Sequence, residues 1–64
     1  MPVVNVQMFE GRSVEEKRKF VADVTRTICD SLGVAPESVR IMITDMPREN
    51  VAVGGVLNID KAGK

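Results

Sequence analysis

Apolar residues recur at every second position at the start of the chain. Residues 3–9 read VVNVQMF, which places Val4, Val6 and Met8 on one face. The opposite face carries Val3, Asn5, Gln7 and Phe9. This alternation is typical of a β-strand with one strongly buried face. The next residues, Glu10-Gly11-Arg12, predict a turn.

The apolar spacing changes to three and four residues after Ser13. Ser13 and Glu16 have the spacing of a capping box, in which each side chain accepts a hydrogen bond from the other residue's backbone N–H. We therefore predict a helix over 14–32, and Gly33 is a natural residue to end it. Its apolar stripe consists of Phe20, Val21, Val24, Ile28 and Leu32.

The second half of the chain predicts a second strand over 39–45, VRIMITD, which Pro47 ends. Residues 51–58 are apolar around Gly54-Gly55 and predict a short β-hairpin. A strand, a helix and a second strand form a βαβ unit. The predicted fold class is therefore α/β, with two parallel strands, one helix and a short C-terminal hairpin.

The length of 64 residues predicts a single domain over 1–64, in which 58–64 form a loose polar tail. A chain this short buries only about 60% of its surface and is marginally stable alone. One cysteine, Cys29, excludes an internal disulfide, and the absence of histidine leaves no zinc site. One helix also covers only one face of the sheet, so we expect oligomerisation to complete the fold.

The composition excludes several classes of function. Nine basic and nine acidic residues give no net charge, and two aromatic residues give no platform for bases, so we expect no nucleic-acid partner. No apolar run reaches 18 residues and the N-terminus has no signal-peptide pattern, so we expect no membrane partner and a cytoplasmic location. The absence of histidine rules out histidine-based acid–base catalysis.

Pro2 is a candidate general base. Removal of Met1 would leave it with a free secondary amine, whose charged form is disfavoured by apolar surroundings and by nearby cations. An amine tuned in this way toward neutral pH is a good base. If Met1 is retained, the Pro2 nitrogen is an amide and is not basic. The alternative is that this Met-Pro start has no function.

Two arginines are candidate anion ligands. Arg12 precedes a helix start, where the helix dipole disfavours a cation, although a solvated turn arginine is the simpler interpretation. Arg40 lies within a strand and needs a carboxylate, either from a ligand or from Glu10 or Asp45 of another subunit. Cys29 is interpreted as small apolar filler, because no histidine is present to activate it.

Together these features resemble the 4-oxalocrotonate tautomerase family, the small-subunit members of the tautomerase superfamily. The resemblance covers residues 2–55. Besides Pro2, it rests on the segments Phe9-Glu10-Gly11-Arg12-Ser13, Ser38-Val39-Arg40, Thr44-Asp45-Met46 and Gly54-Gly55.

The resemblance implies an isomerase of aromatic hydrocarbon catabolism that needs no cofactor and no metal. Pro2 would act as the base that converts 2-hydroxymuconate-like enols to 2-oxo acids. Arg40 would polarise the 2-oxo group and a carboxylate oxygen, and Arg12 would bind the distal carboxylate. The family builds each site from several subunits, which implies a homohexamer, a trimer of dimers, or a heterohexamer with a similar second chain.

The backbone amide of Phe9 and the neighbourhood of Ser38 would also line the site. Val51 departs from the family, because it stands where the family has an aromatic residue that walls the pocket, so we expect a wider and wetter pocket. Residues 51–56 contain no acid to activate water, which disfavours dehalogenation. The rival hypothesis is a non-catalytic oligomeric module of the same fold, in which Met1 is retained or the pocket is unused.

Overall fold

The computed structural model describes residues 1–61 and contains the predicted βαβ unit. The elements are β1 (Val3–Phe9), α1 (Val14–Leu32), β2 (Arg40–Met46), β3 (Ala52–Val53) and β4 (Val56–Leu57). β1 and β2 are parallel, with Val3 beside Arg40 and Phe9 beside Met46. β3 and β4 form the antiparallel hairpin around Gly54-Gly55. The predicted fold class is confirmed.

The bounds of α1 are those predicted, because both ends are capped. The Ser13 hydroxyl accepts a hydrogen bond from the Glu16 N–H at 3.1 Å, and the Glu16 carboxylate accepts one from the Ser13 N–H at 2.9 Å. The helix ends at Gly33, whose φ of 69° is left-handed and whose N–H donates to the Cys29 carbonyl. Glycine adopts this conformation without a steric penalty.

The apolar stripe of α1 is shorter than predicted. Phe20, Val21, Val24 and Ile28 are half-buried, whereas Leu32 is 63% exposed. Nineteen helical residues span about 28 Å, but seven strand residues span only about 23 Å. The last turn of the helix therefore has less sheet to cover than the pattern alone implies.

β2 begins and ends one residue later than predicted. The Val39 N–H donates to the Pro36 carbonyl at 3.1 Å and so closes a short 3-10 helix, Pro36–Ser38. The first N–H to join the sheet is that of Arg40, which donates to the Pro2 carbonyl at 3.0 Å. The strand continues to Met46, directly before Pro47.

The predicted loose tail begins with regular structure. Asn58–Asp60 form a 3-10 helix, and the Asn58 N–H donates to the Val51 carbonyl at 2.7 Å. This hydrogen bond returns the chain to the start of the hairpin. The last part of the predicted tail, residues 62–64, lies outside the described residues.

The described chain does not enclose a core of its own. None of residues 1–61 is fully buried, and the radius of gyration is 15.1 Å, against about 11 Å for a compact chain of this length. The sheet face away from α1 is open, with Val3 52% and Met42 41% exposed. α1 is too polar to cross a membrane, and no other helix in this part of the chain is long enough. The apolar surface of β1, β2 and the hairpin is left for another molecule to cover.

Candidate active site

The predicted site residues fall into two groups at opposite ends of the β1–β2 pair. We call the group at the start of the strands, Pro2, Ser38 and Arg40, the proline end. The predicted residues Arg12, Val51 and Phe9 lie where the strands finish. Together with Arg48, which was not predicted, we call them the phenylalanine end.

The proline end is held together by the backbone. The Arg40 N–H donates to the Pro2 carbonyl at 3.0 Å, which fixes these two residues side by side. The Ser38 hydroxyl donates to the Ala35 carbonyl at 2.8 Å, so this side chain is already engaged within its own turn. The sheet register and the 3-10 turn thus bring the three predicted residues of this end together.

The Arg40 guanidinium has no carboxylate partner among residues 1–61. Asp45, one of the two protein partners considered for it, instead binds Lys17 of the same chain at 2.8 Å. Glu10, the other, follows β1 at the far end of the sheet. As far as residues 1–61 are concerned, the Arg40 side chain is therefore available to an anion.

Pro2 carries an amide nitrogen in this structure, because Met1 is present and bonded to it. An amide nitrogen has no basicity. Met1 is 73% exposed, whereas Pro2 is half-buried. The Met1–Pro2 peptide bond therefore lies next to an accessible side chain.

The phenylalanine end forms a shallow apolar concavity. Its volume is about 210 Å³, and its lining consists of Gln7, Met8, Phe9, Met46 and Val51. The parallel register brings Met46 beside Phe9, and Val51 enters from the loop that follows β2. Phe9 and Val51, two of the predicted lining residues, therefore share one surface.

Arg12 lies beside this concavity at the start of α1. Its guanidinium is 3.6 Å from the Glu16 carboxylate, and both side chains are more than half exposed. The pKa of Glu16 is lowered, chiefly by the hydrogen bond from the Ser13 backbone and further by the Arg12 charge. Because an exposed pair of this kind contributes little energy, Arg12 is free to exchange Glu16 for a ligand carboxylate.

The backbone N–H of Phe9 points away from β2, the strand that β1 pairs with. The hydrogen bonds from Arg40 to Pro2 and from Glu10 to Met46, at 3.0 and 3.1 Å, show that even-numbered residues of β1 face β2. Backbone groups alternate sides along a parallel strand, so the Phe9 N–H points to the open edge. The predicted role of this amide therefore needs no hydrogen bond to be broken.

The two ends are too far apart to act together in one chain. Six steps of about 3.3 Å along β1 place Phe9 about 20 Å from Val3. Pro2 and Arg40 are thus separated from Arg12 by more than the length of a six-carbon substrate. The structure brings the six predicted residues into two groups of three rather than into one pocket.

Arg48 is a residue of the phenylalanine end that the sequence patterns do not single out. Its guanidinium carbon lies 4.4 Å from the centroid of the Phe9 ring. The strand register could have indicated this contact. If Val3 is paired with Arg40, Phe9 is paired with Met46, and Arg48 follows only two residues later.

Comparison with known proteins decides which family this arrangement represents. A family model described as "Tautomerase enzyme" matches residues 2–60. The chain belongs to the tautomerase family. Its match begins at Pro2 and includes both ends of the strand pair.

Individual tautomerases are similar over nearly the whole chain. A 2-hydroxymuconate tautomerase from Comamonas testosteroni is 39% identical over 56 residues, which cover 88% of this chain and 89% of that protein. A probable tautomerase from Staphylococcus epidermidis is 36% identical over 61 residues, 95% of this chain and 100% of that protein.

Solved tautomerase structures share the fold. A 4-oxalocrotonate tautomerase homologue is 40% identical with a TM-score of 0.88, and the match covers 98% of this chain and 100% of that one. A heterohexameric 4-oxalocrotonate tautomerase from Chloroflexus aurantiacus is 27% identical with a TM-score of 0.87, covering 94% and 97%. The resemblance read from the sequence is confirmed, as is the tautomerase fold.

Proposed function

We propose that the chain is a cofactor-independent tautomerase that converts 2-hydroxydienoates, such as 2-hydroxymuconate, to 2-oxo acids. Family membership and the similarity to 2-hydroxymuconate tautomerases support the reaction class. The observation that carries the proposal is the arrangement of the two ends. At one end Pro2 is hydrogen-bonded to the backbone of Arg40, whose side chain has no ion-pair partner among residues 1–61. At the other end Arg12 lies next to an apolar concavity.

The site is assembled from more than one copy. A separation of about 20 Å within the chain excludes a pocket that uses Pro2 and Arg12 of the same copy. The open sheet face and the absence of a closed core in residues 1–61 leave apolar surface for neighbours to cover. We propose a homohexamer, a trimer of dimers. The heterohexameric neighbour makes an assembly with a similar second chain the alternative.

Catalysis consists of moving one proton. The amine of Pro2, freed by loss of Met1, takes the proton from the enol hydroxyl, and the oxygen becomes a carbonyl as its electrons move into the conjugated system. The protonated amine then returns the proton to a carbon atom of that system. Product and substrate are isomers, so no oxidant or reductant is consumed.

The arginines stabilise the charge that this transfer creates. Arg40 donates to the 2-oxygen and the adjacent carboxylate, where negative charge develops while the proton is on Pro2. Arg12 of another copy binds the distal carboxylate and draws electron density along the diene. The Phe9 N–H and Ser38 line the pocket, and Val51 walls it with less bulk than an aromatic residue provides.

The rival hypothesis is a non-catalytic oligomeric module whose Met1 is retained. Intact mass separates the two first, because the enzyme requires loss of one methionine. Ketonisation of 2-hydroxymuconate is then followed by absorbance with the mature chain and with a Pro2→Ala chain. Turnover by the mature chain that is lost in Pro2→Ala supports the proposal. An inactive mature chain would overturn it, and equal activity would remove Pro2 from the mechanism.

A further inference from the structure

Arg48 is the one cation that stacks on the Phe9 ring among residues 1–61. It belongs to the short 3-10 helix Arg48–Asn50, directly after Pro47. The guanidinium carbon lies 4.4 Å from the ring centroid, within the range of a cation–π contact. This contact holds the side chain at the phenylalanine end of the strand pair.

Arg48 and Arg12 both line a second recess at the phenylalanine end. This larger, more polar recess adjoins the apolar one, has a volume of about 680 Å³ and is lined by charged residues around Met8, Phe9 and Gly11. The charged residues are Glu10, Arg12, Glu16 and Arg48. Two carboxylates and two guanidinium groups therefore meet there, and their formal charges cancel.

The guanidinium groups of Arg12 and Arg48 differ in their ion-pair partners. Arg12 lies 3.6 Å from the Glu16 carboxylate, whereas Arg48 makes no ion pair with any residue of 1–61. Contact with an aromatic face does not use the five N–H donors of a guanidinium, so those of Arg48 remain available.

We propose that Arg48 is a specificity-determining residue, which selects substrates that carry a second carboxylate at the end distant from the reacting 2-hydroxyl. This inference rests on the proposed function, since it concerns the far end of the same site. Without Arg48, the two glutamates of the recess would outnumber Arg12 and would repel a distal carboxylate. With Arg48, the recess accepts that group and binds it through charge-assisted hydrogen bonds.

Binding of two matched dienes tests the role of Arg48 without requiring turnover. Muconate carries a carboxylate at both ends of a conjugated diene, and sorbate carries a methyl group in place of one carboxylate. Calorimetry gives the Kd of each for the mature chain and for its Arg48→Ala and Arg48→Lys variants. The matched control is Arg26→Ala, which removes an equal charge from the exposed face of α1.

Arg48→Ala should weaken muconate binding about tenfold, the effect of losing one charge-assisted hydrogen bond, and leave sorbate binding within about twofold. The muconate Kd of Arg48→Lys should lie between those of the parent and of Arg48→Ala, because lysine keeps the charge but lacks the planar guanidinium. Raising the salt concentration should reduce the difference between the Kd values of muconate and sorbate, because salt screens the charge on the second carboxylate. Arg26→Ala should change neither Kd.

Three results would overturn the role of Arg48. In the first, Arg48→Ala weakens the binding of muconate and sorbate equally. In the second, Arg48→Ala weakens the binding of neither. In the third, the parent chain itself binds muconate no better than sorbate. Failure of the proposed function has a different signature. A mature chain that prefers muconate through Arg48 but does not ketonise 2-hydroxymuconate would support the selectivity and refute the tautomerase.

Discussion

The two ends of the β1–β2 pair offer different chemistry. The proline end has a nitrogen that becomes basic only after Met1 is lost, and the backbone of Arg40 is hydrogen-bonded to the same residue, Pro2. The phenylalanine end has an aromatic ring, two guanidinium groups, on Arg12 and Arg48, and the carboxylates of Glu10 and Glu16. Under the proposed function, the proline end moves the proton and the phenylalanine end binds the distal anion, so catalysis needs both.

This division explains why so short a chain can form a complex site. A 64-residue chain has too little interior to bury a pocket, and the described residues enclose none. Placing the two functions at opposite ends of a strand pair allows an assembly to create each pocket between copies. The first variants change the proline end, the next remove one arginine from each end, and the last change single side chains at the phenylalanine end.

The largest effect should come from the proline end. A chain that retains Met1 should lose about 10³-fold or more in activity at every pH, because an amide nitrogen cannot accept a proton. Pro2→Ala, with Met1 removed, keeps an amine of different basicity and should retain more activity than the uncleaved chain. Intact mass and the ketonisation assay are measured on the same samples, and equal activity of cleaved and uncleaved chains would contradict the account.

Loss of either arginine should be the next largest effect. Arg12→Ala and Arg40→Ala should each reduce kcat/KM about 10²-fold, if each contributes about 3 kcal/mol to the transition state. Arg26→Ala is the control for a lost surface charge. Sedimentation should show that all three variants keep the parent assembly, and an arginine whose removal leaves kcat/KM unchanged has no part in the mechanism.

A smaller effect is expected from the wall of the phenylalanine end. Val51→Phe should exclude more water from the Pro2 of a neighbouring copy and disfavour its charged form. The ascending limb of the pH–rate profile should then move to lower pH, with a gain in rate at neutral pH. Val51→Leu adds bulk without a ring and should shift the limb less. An unmoved limb in both variants would show that Val51 does not cover the base.

The smallest effect concerns the cap that positions Arg12. Ser13→Ala should destabilise the helix start by about 1 kcal/mol. The folded state lowers the pKa of Glu16 below its ordinary value of 4.5, so its contribution is present above that value and is lost as the pH falls through the folded pKa. Glu16→Gln cannot titrate, so urea unfolding should show a weaker loss of stability in acid than for the parent. Parallel acid curves would contradict this role of Glu16.

Local signals in the sequence predicted most of the fold. The capping box at Ser13 and Gly33 at the other end set both bounds of α1, because each makes a specific backbone hydrogen bond. β2 was misplaced by one residue because Val39 completes the turn that begins at Pro36, a competition that alternation of apolar residues does not reveal. Leu32 fitted the helical stripe, but the periodicity carries no information about where the sheet beneath it ends.

The candidate site was predictable only in part. The resemblance supplied Pro2, Arg12 and Arg40, but their separation across the strand pair appears only once the register is known. Arg48 lies 39 positions after Phe9 in the sequence, and no short motif joins them. Contacts that depend on strand register are not encoded in local spacing, and the most informative contact at the phenylalanine end is of that kind.

Subunit mixing tests whether each active site combines the proline end of one copy with the phenylalanine end of another. Mature Pro2→Ala and Arg12→Ala chains are assayed separately, then unfolded together in equal amounts, refolded and assayed again. If the two residues come from different copies, about a quarter of the mixed sites regain both, and activity rises well above the sum of the separate variants. Activity no greater than that sum, in a mixture shown by mass to contain mixed assemblies, would contradict the account.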